Sequence, residues 1–186
     1  MRVAGIGDNC IDIYEKLGKK YPTGNVVDTI INLQKLGIAA SIISTIGNDS
    51  HGKWMQRTLQ SERVDISHLK VKEGKTAITY MDIEENERIH GNYVEGVVEH
   101  ILFDKEDIAF AVSHDLVHTA LWGRAEGTLP AIAAAGVPIS FDYGDRLVYG
   151  ILHGFSIEEC LKKGAAIAAS VVAVFEPWVK ENKRCL

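Results

Sequence analysis

Apolar residues recur along this chain at two spacings, one suited to strands and one to helices. Val3–Gly7 is a short apolar run closed by glycine and predicts a buried strand. Asp8–Tyr14 (DNCIDIY) alternates polar and apolar residues, Lys16–Lys20 is polar, and Tyr21-Pro22-Thr23-Gly24-Asn25 predicts a loop. From Val26 onward, Val26, Val27, Ile30, Ile31, Leu33 and Leu36 share one helical face, and Gly37 marks the stop. Ala39–Ile46 predicts a second buried strand. Gly47-Asn48-Asp49-Ser50 then predicts a loop into a helix over about 51–61, with Trp54, Met55 and Leu59 on its apolar face.

Residues 69–94 break this rhythm. Thr76–Ile83 alternates, Glu84–Glu87 is a polar turn, and Arg88–Tyr93 follows, which predicts an inserted β-hairpin with one wet face. Afterwards the pattern predicts a helix at 104–112, a strand at 115–120, a helix at 125–135 ended by Gly136, and a strand at 137–142. Helices that alternate with strands argue for an α/β fold, a mainly parallel sheet covered on both faces. Near the end, Ser156-Ile157-Glu158-Glu159 is a capping box that opens a long helix carrying Leu161, Ile167, Val171 and Val172. With Val148–His153 before it, a helical pair is predicted over about 148–176.

Composition narrows the class. The 186 residues are 46% hydrophobic and 24% charged, which suits one globular domain over 1–186 and excludes a disordered or collagen-like chain. A net charge of −5 without a basic block argues against nucleic acid as a partner. No apolar run reaches the roughly 18 residues of a membrane span. Met1-Arg2-Val3-Ala4 is expected to enter a strand rather than a signal peptide. Cys10, Cys160 and Cys185 are far apart and lack zinc spacing, so reduced thiols and a cytoplasmic location are expected.

The candidate chemistry lies where strands end. In an open α/β sheet, ligands bind beyond the carboxyl ends of the strands. Asp8, Asn9 and Asp12 follow the first strand; Gly24 and Asn25 precede a helix; Gly47, Asp49 and Gly52 follow the second strand; Asp142 follows the last. Trp122 and Glu126 flank Gly123 after the strand at 115–120. Carboxylates and amides converging on one rim suit a polyol, because they accept and donate to several hydroxyls at once. His118, on an apolar strand, reads as a core histidine rather than a ligand, and Glu84-Glu85 as a solvated turn. No Walker loop, Gly-x-Gly-x-x-Gly or metal-ligating spacing occurs.

Gly7-Asp8-Asn9…Asp12, Pro22…Gly24-Asn25, Gly47-Asn48-Asp49…Gly52, Val64-Asp65 and Phe141-Asp142 together resemble the ribokinase/PfkB carbohydrate kinases. The phrases IGDNCIDIY, RVDISHL, GNYVEGV and DLVHTALWGRAE are similar to the fructosamine-type (fructoselysine) members of that family, from Arg2 to about Trp178. The resemblance implies a Rossmann-like, ribokinase-like α/β domain with the hairpin at about 69–94 as a small lid. It implies substrate contacts at Asp8, Asn9, Asp12, Gly24 and Asn25, with Arg88 reaching from the lid, and phosphoryl transfer from MgATP to a sugar hydroxyl. The implied partner is a sugar or glycated amino acid.

Two departures touch the sugar loop. Thr23 stands where the family prefers Gly, and Asp28 where it prefers Asn, so a freer backbone position is restricted and a neutral group becomes a charge that only accepts. A larger departure is that the family's Gly-Ala-Gly-Asp motif, the phosphate site and catalytic base, is not in these 186 residues. The chain follows the family's order to about Arg146, and from about Val148 it resembles the helices that come after that motif. The expectation is therefore an internal deletion near 145–149 that removes the central ATP-site strands. A carbohydrate kinase inactive as written is one reading, with ATP and Mg as family cofactors or none for the shortened chain. The other is a non-catalytic sugar-binding or vestigial protein. In either case uncovered sheet or lid edges predict a homo-oligomer, such as a dimer.

Overall fold

Strands that are apolar on both faces are satisfied only between two layers of helices, and the chain builds that arrangement. The computed structural model describes residues 1–84 and 87–141. In chain order the elements are β1 (Arg2–Ile6), β2 (Cys10–Tyr14), β3 (Lys19–Thr23), α1 (Asn25–Lys35), β4 (Ala39–Gly47), α2 (Ser50–Ser61), β5 (Asp65–Lys72), β6 (Ile78–Glu84), β7 (Glu87–Val94), α3 (Lys105–Val112), β8 (Leu116–Thr119), α4 (Leu129–Ala134) and β9 (Ile139–Phe141). One sheet has the order β5-β4-β1-β8-β9 and every pairing in it is parallel. The expected α/β architecture, a mainly parallel sheet flanked by helices, is the observed one.

Alternate side chains of the sheet feed two cores. Val3, Ile42 and Ile46 pack with Val26, Ile30 and Leu33 of α1 and with Met55 and Leu59 of α2. Ala4, Ile6, Ile43 and Val117 face the other way and pack with Ala111 of α3 and Ile132 of α4. A residue pair one step apart on β4, Ile42 and Ile43, thus serves opposite layers.

A second sheet, of order β3-β2-β6-β7, stands apart from the first. Its β2–β3 and β6–β7 pairings are antiparallel and its β2–β6 pairing is parallel. Ile11 and Ile13 of β2, with Ile78 and Tyr80 of β6, pack on the α1–α2 core. The side chains one step out of phase face the other way.

The structure differs from the sequence expectations at four places. Lys19–Thr23 is a strand, not part of a loop. Pro22 pairs with Ile11 at the sheet edge, where a missing N–H leaves no ladder bond broken on a further strand. The helix expected over 125–135 is confined to Leu129–Ala134, because Pro130 fits the first turn of a helix but not its interior. Residues 69–72, expected in the insertion, belong to β5 of the parallel sheet; its half-exposed edge position dilutes the apolar signal. The hairpin at 76–94 is joined by β2 and β3 rather than standing alone. Among the described residues, no helix is long and apolar enough to cross a membrane. Asp142, the expected helical pair at 148–176 and Trp178 lie outside the described residues.

His118 of β8 is 1% exposed, with Nδ1 3.2 Å from Ser140 Oγ. Burial holds its imidazole down at about 4, below the ordinary value of about 6.5. The unfolded chain therefore takes up a proton at this site before the folded one does. Stability from the buried neutral ring is complete above about pH 6.5 and falls towards pH 4, by up to about 1.4 kcal/mol per pH unit. Urea unfolding at pH 7 and pH 5 is expected to show a smaller pH dependence in His118→Gln than in the parent chain. An equal drop in both would mean that other groups govern the acid response.

Candidate functional site

The polar face of the second sheet and the carboxyl ends of β1 and β8 enclose a cleft of about 640 Å³. Asp8 enters it from the loop after β1, Trp122 from the 3-10 turn Leu121–Gly123 after β8, and Gly24, Asn25 and Asp28 from the start of α1. Cys10 and Asp12 project into it from β2, Thr23 from β3, and Thr79 and Met81 from β6. β7 contributes Arg88, His90 and Tyr93. A register shift between Thr79 and Met81 opposes Tyr93 to Thr79 and His90 to Met81, so residues three apart on β7 reach the same face.

The close passage at the start of α1 depends on glycine. Gly24 has φ +134°, and a Cβ there would lie 2.9 Å from Asn9 Cα. No bulkier residue lets the α1 entry lie against the loop after β1. Beside it, Thr23 Oγ1 donates to Asp28 Oδ2 at 2.5 Å. The two departures from the family pattern are thus one unit: the threonine hydroxyl supplies a donor to the carboxylate that replaces the neutral amide.

Within the cleft the Cys10 thiol donates to Asp12 Oδ1 at 3.5 Å, and Thr79 Oγ1 donates to Cys10 Sγ at 3.6 Å. Burial pushes the Asp12 carboxyl above its usual range, against the opposing pull of the Cys10 hydrogen bond and of His90 and Arg88. Burial, then the Asp12 charge, pushes the Cys10 thiol well up, so it stays a thiol. Burial, with Cys10 and Asp8 nearby, pushes the Tyr93 hydroxyl up to about 12, which keeps it a donor. The arrangement suits hydroxyl recognition: carboxylates that accept, with neutral donors and a guanidinium around them.

Of the expected site residues, Asp8, Asp12, Gly24, Asn25, Arg88 and Trp122 meet in this cleft. Asn9 does not. It is fully buried beneath the loop, and its Nδ2 donates to Thr45 O at 2.7 Å and Ser44 Oγ at 2.8 Å. Its amide ties the loop after β1 to β4, because a side chain on that side of the strand end points into the sheet. Glu126 is exposed in the turn before α4 and takes no part in the lining. Asp49 is also structural. It caps α2 by accepting from Gly52 N at 2.8 Å, and it accepts from Thr76 Oγ1 at 2.7 Å. Partial burial opposes its charge, yet these hydrogen bonds hold its carboxyl below the usual range. Cys10, Thr79, His90 and Tyr93 were not expected. Strict alternation from Asp12 through β2 points to Cys10, whereas the shifted register of β7 leaves no trace in the sequence. Among the described residues, no group of three or more His, Cys, Asp or Glu side chains is placed to hold a metal ion.

Residues 8–121 match the pfkB family carbohydrate kinase profile. A fructoselysine 6-kinase of Escherichia coli is 39% identical over 144 residues, covering 77% of this chain and 55% of its own length. A fructosamine kinase of Bacillus subtilis is 29% identical over 147 residues, covering 77% and 51%. The chain spans about half the length of these curated relatives. A solved ribokinase of Arabidopsis thaliana, complexed with ribose and ATP, superposes with a TM-score of 0.62 at 16% identity over 75% of this chain and 52% of that one, a likeness of fold.

Because the Asn9 amide is a clamp and not a lining group, Asn9→Asp places an acceptor against Thr45 O. It is expected to lower the stability of the chain by about 1–3 kcal/mol. Thermal unfolding checks this, and an unchanged midpoint would return Asn9 to the list of ligand contacts.

Proposed function

The chain belongs to the pfkB family of carbohydrate kinases, and from that premise we propose that its cleft is the sugar-binding half of a carbohydrate kinase of the fructosamine type. The single observation that carries the reading is the meeting of Asp8, Asp12, Gly24, Asn25 and Arg88 in one cleft. Asp8 and Asp12 accept hydrogen bonds from sugar hydroxyls, the Asn25 amide at the head of α1 donates and accepts, and Arg88 closes over the ligand from the second sheet. That sheet, built on β6 and β7, acts as the lid of the cleft. The substrate class is a sugar or a glycated amino acid, in keeping with the names of the relatives.

In the family reaction ATP supplies a phosphoryl group to a sugar hydroxyl. Among the described residues, no group of three or more His, Cys, Asp or Glu side chains is placed to hold a metal ion. The sequence also contains no Gly-Ala-Gly-Asp, the element expected to hold phosphate and to deprotonate the sugar. Our reading of these 186 residues is therefore a chain that binds sugar and does not turn over ATP.

Calorimetric titration of the full chain with fructosyl-lysine tests both parts. Binding is expected, and Asp12→Asn should weaken it roughly tenfold to a hundredfold, the worth of a charged hydrogen bond of about 1.5–3 kcal/mol. Absence of binding, or equal binding by Asp12→Asn, would refute the sugar site. Sugar-dependent ADP release from MgATP would refute the non-catalytic reading alone.

A further inference from the structure

Trp122 is 62% exposed, yet it lines the cleft. Its position is over-determined. A Cβ on Gly7 would lie 2.8 Å from Gly123 Cα, and one on Gly123 would lie 3.1 Å from Gly7 Cα, so the loops after β1 and β8 press together at two glycines. Arg124 then adopts a left-handed backbone at φ +52°, a conformation that costs a non-glycine residue free energy. Its guanidinium bonds the Glu95 carboxylate and, at 3.1 Å, donates from Nη1 to Glu99 O. The Trp122 turn is thereby fastened to the segment that leaves β7. Tyr93, 37% exposed, lines the same cleft one residue before that strand ends.

We propose that Trp122, held by the Arg124–Glu95 ion pair, is the platform that reads the amine-bearing tail of a sugar conjugate whose polyol end lies among Asp8, Asp12 and Asp28. This rests on the sugar-site reading and adds the residue that separates a conjugate from a free sugar. Three observations carry it. The cleft volume of about 640 Å³ is in the middle of the roughly 300–1,000 Å³ range that encloses drug-sized ligands, more than a single hexose fills. Its lining sets three aspartates against one arginine, Arg88, a balance that favours a protonated amine over an anion. An indole face is the best aromatic partner for an ammonium group, and it also covers an alkyl stem. Arg124 acts through Trp122 and is a positioning residue.

The test compares Nε-fructosyl-lysine with fructose by calorimetry on the full chain. The conjugate is expected to bind at least tenfold more tightly than fructose. Trp122→Ala should remove most of that difference by weakening the conjugate far more than fructose, and Trp122→Phe should restore part of it. Arg124→Gly, which relieves the backbone and deletes the ion pair, should reduce the preference in the same direction. In protein labelled with 5-fluorotryptophan, the resonance lost in Trp122→Phe should move with the conjugate and stay in place with fructose. Equal weakening of both ligands by Trp122→Ala, or no weakening of either, would overturn the assignment while the sugar site stands. Binding of neither ligand by the parent chain would overturn the sugar site and the platform together.

Discussion

The cleft exists because Ile11 and Ile13 are buried. Both belong to a strand of five residues, and both pack on the core formed by α1, α2 and the parallel sheet. Fully burying such a side chain stabilises by about 1.5–3 kcal/mol. In a pleated strand the residues that alternate with them face the other way, so Cys10 and Asp12 are delivered to the polar side. The same phase relation extends to β6, where Ile78 and Tyr80 pack inward while Thr79 and Met81 line the cleft. The core is what aims the site.

Charge in the cleft is arranged by its neighbours rather than left to solvent. Thr23 donates to Asp28, Cys10 donates to Asp12, and Arg88 and His90 of β7 pull the Asp12 carboxyl down against its burial. Buried carboxylates without such partners would be costly. With them, the cleft keeps an acidic lining. Around the cleft, Asn9, Asp49 and Arg124 spend their polar groups on the frame. Asn9 ties the first loop to β4, Asp49 ties α2 to the segment before β6, and Arg124 ties the Trp122 turn to the end of β7.

That division explains where reading the residues succeeded and where it fell short. Asp8, Gly24 and Asn25 stand immediately after or before elements with strong apolar patterns, and Asp12 alternates with Ile11 and Ile13 within β2, so their places follow from the pattern. Asn9 has the same sequence credentials as Asp8, but one step of chain turns it into the sheet, and only packing reveals that. Pro22 suggested a loop, and β3 formed nonetheless because β2 presented an edge to pair with, one that tolerates a missing N–H. Glu126 looked equivalent to Trp122 until Pro130 delayed the start of α4 and left it in an exposed turn.

The amino-acid sequence by itself determined the alternation of strands and helices, the two-sided burial of the parallel sheet and the presence of carboxylates at its strand ends, because these follow from local periodicity and from the stereochemistry of glycine and proline. Tertiary structure alone decided which polar groups meet. The shifted register of β7, the contact of Gly7 with Gly123, and the Arg124–Glu95 pair bring together segments that are distant in the chain. No local spacing encodes such encounters, since they depend on how two sheets pack, and packing is a property of the whole core.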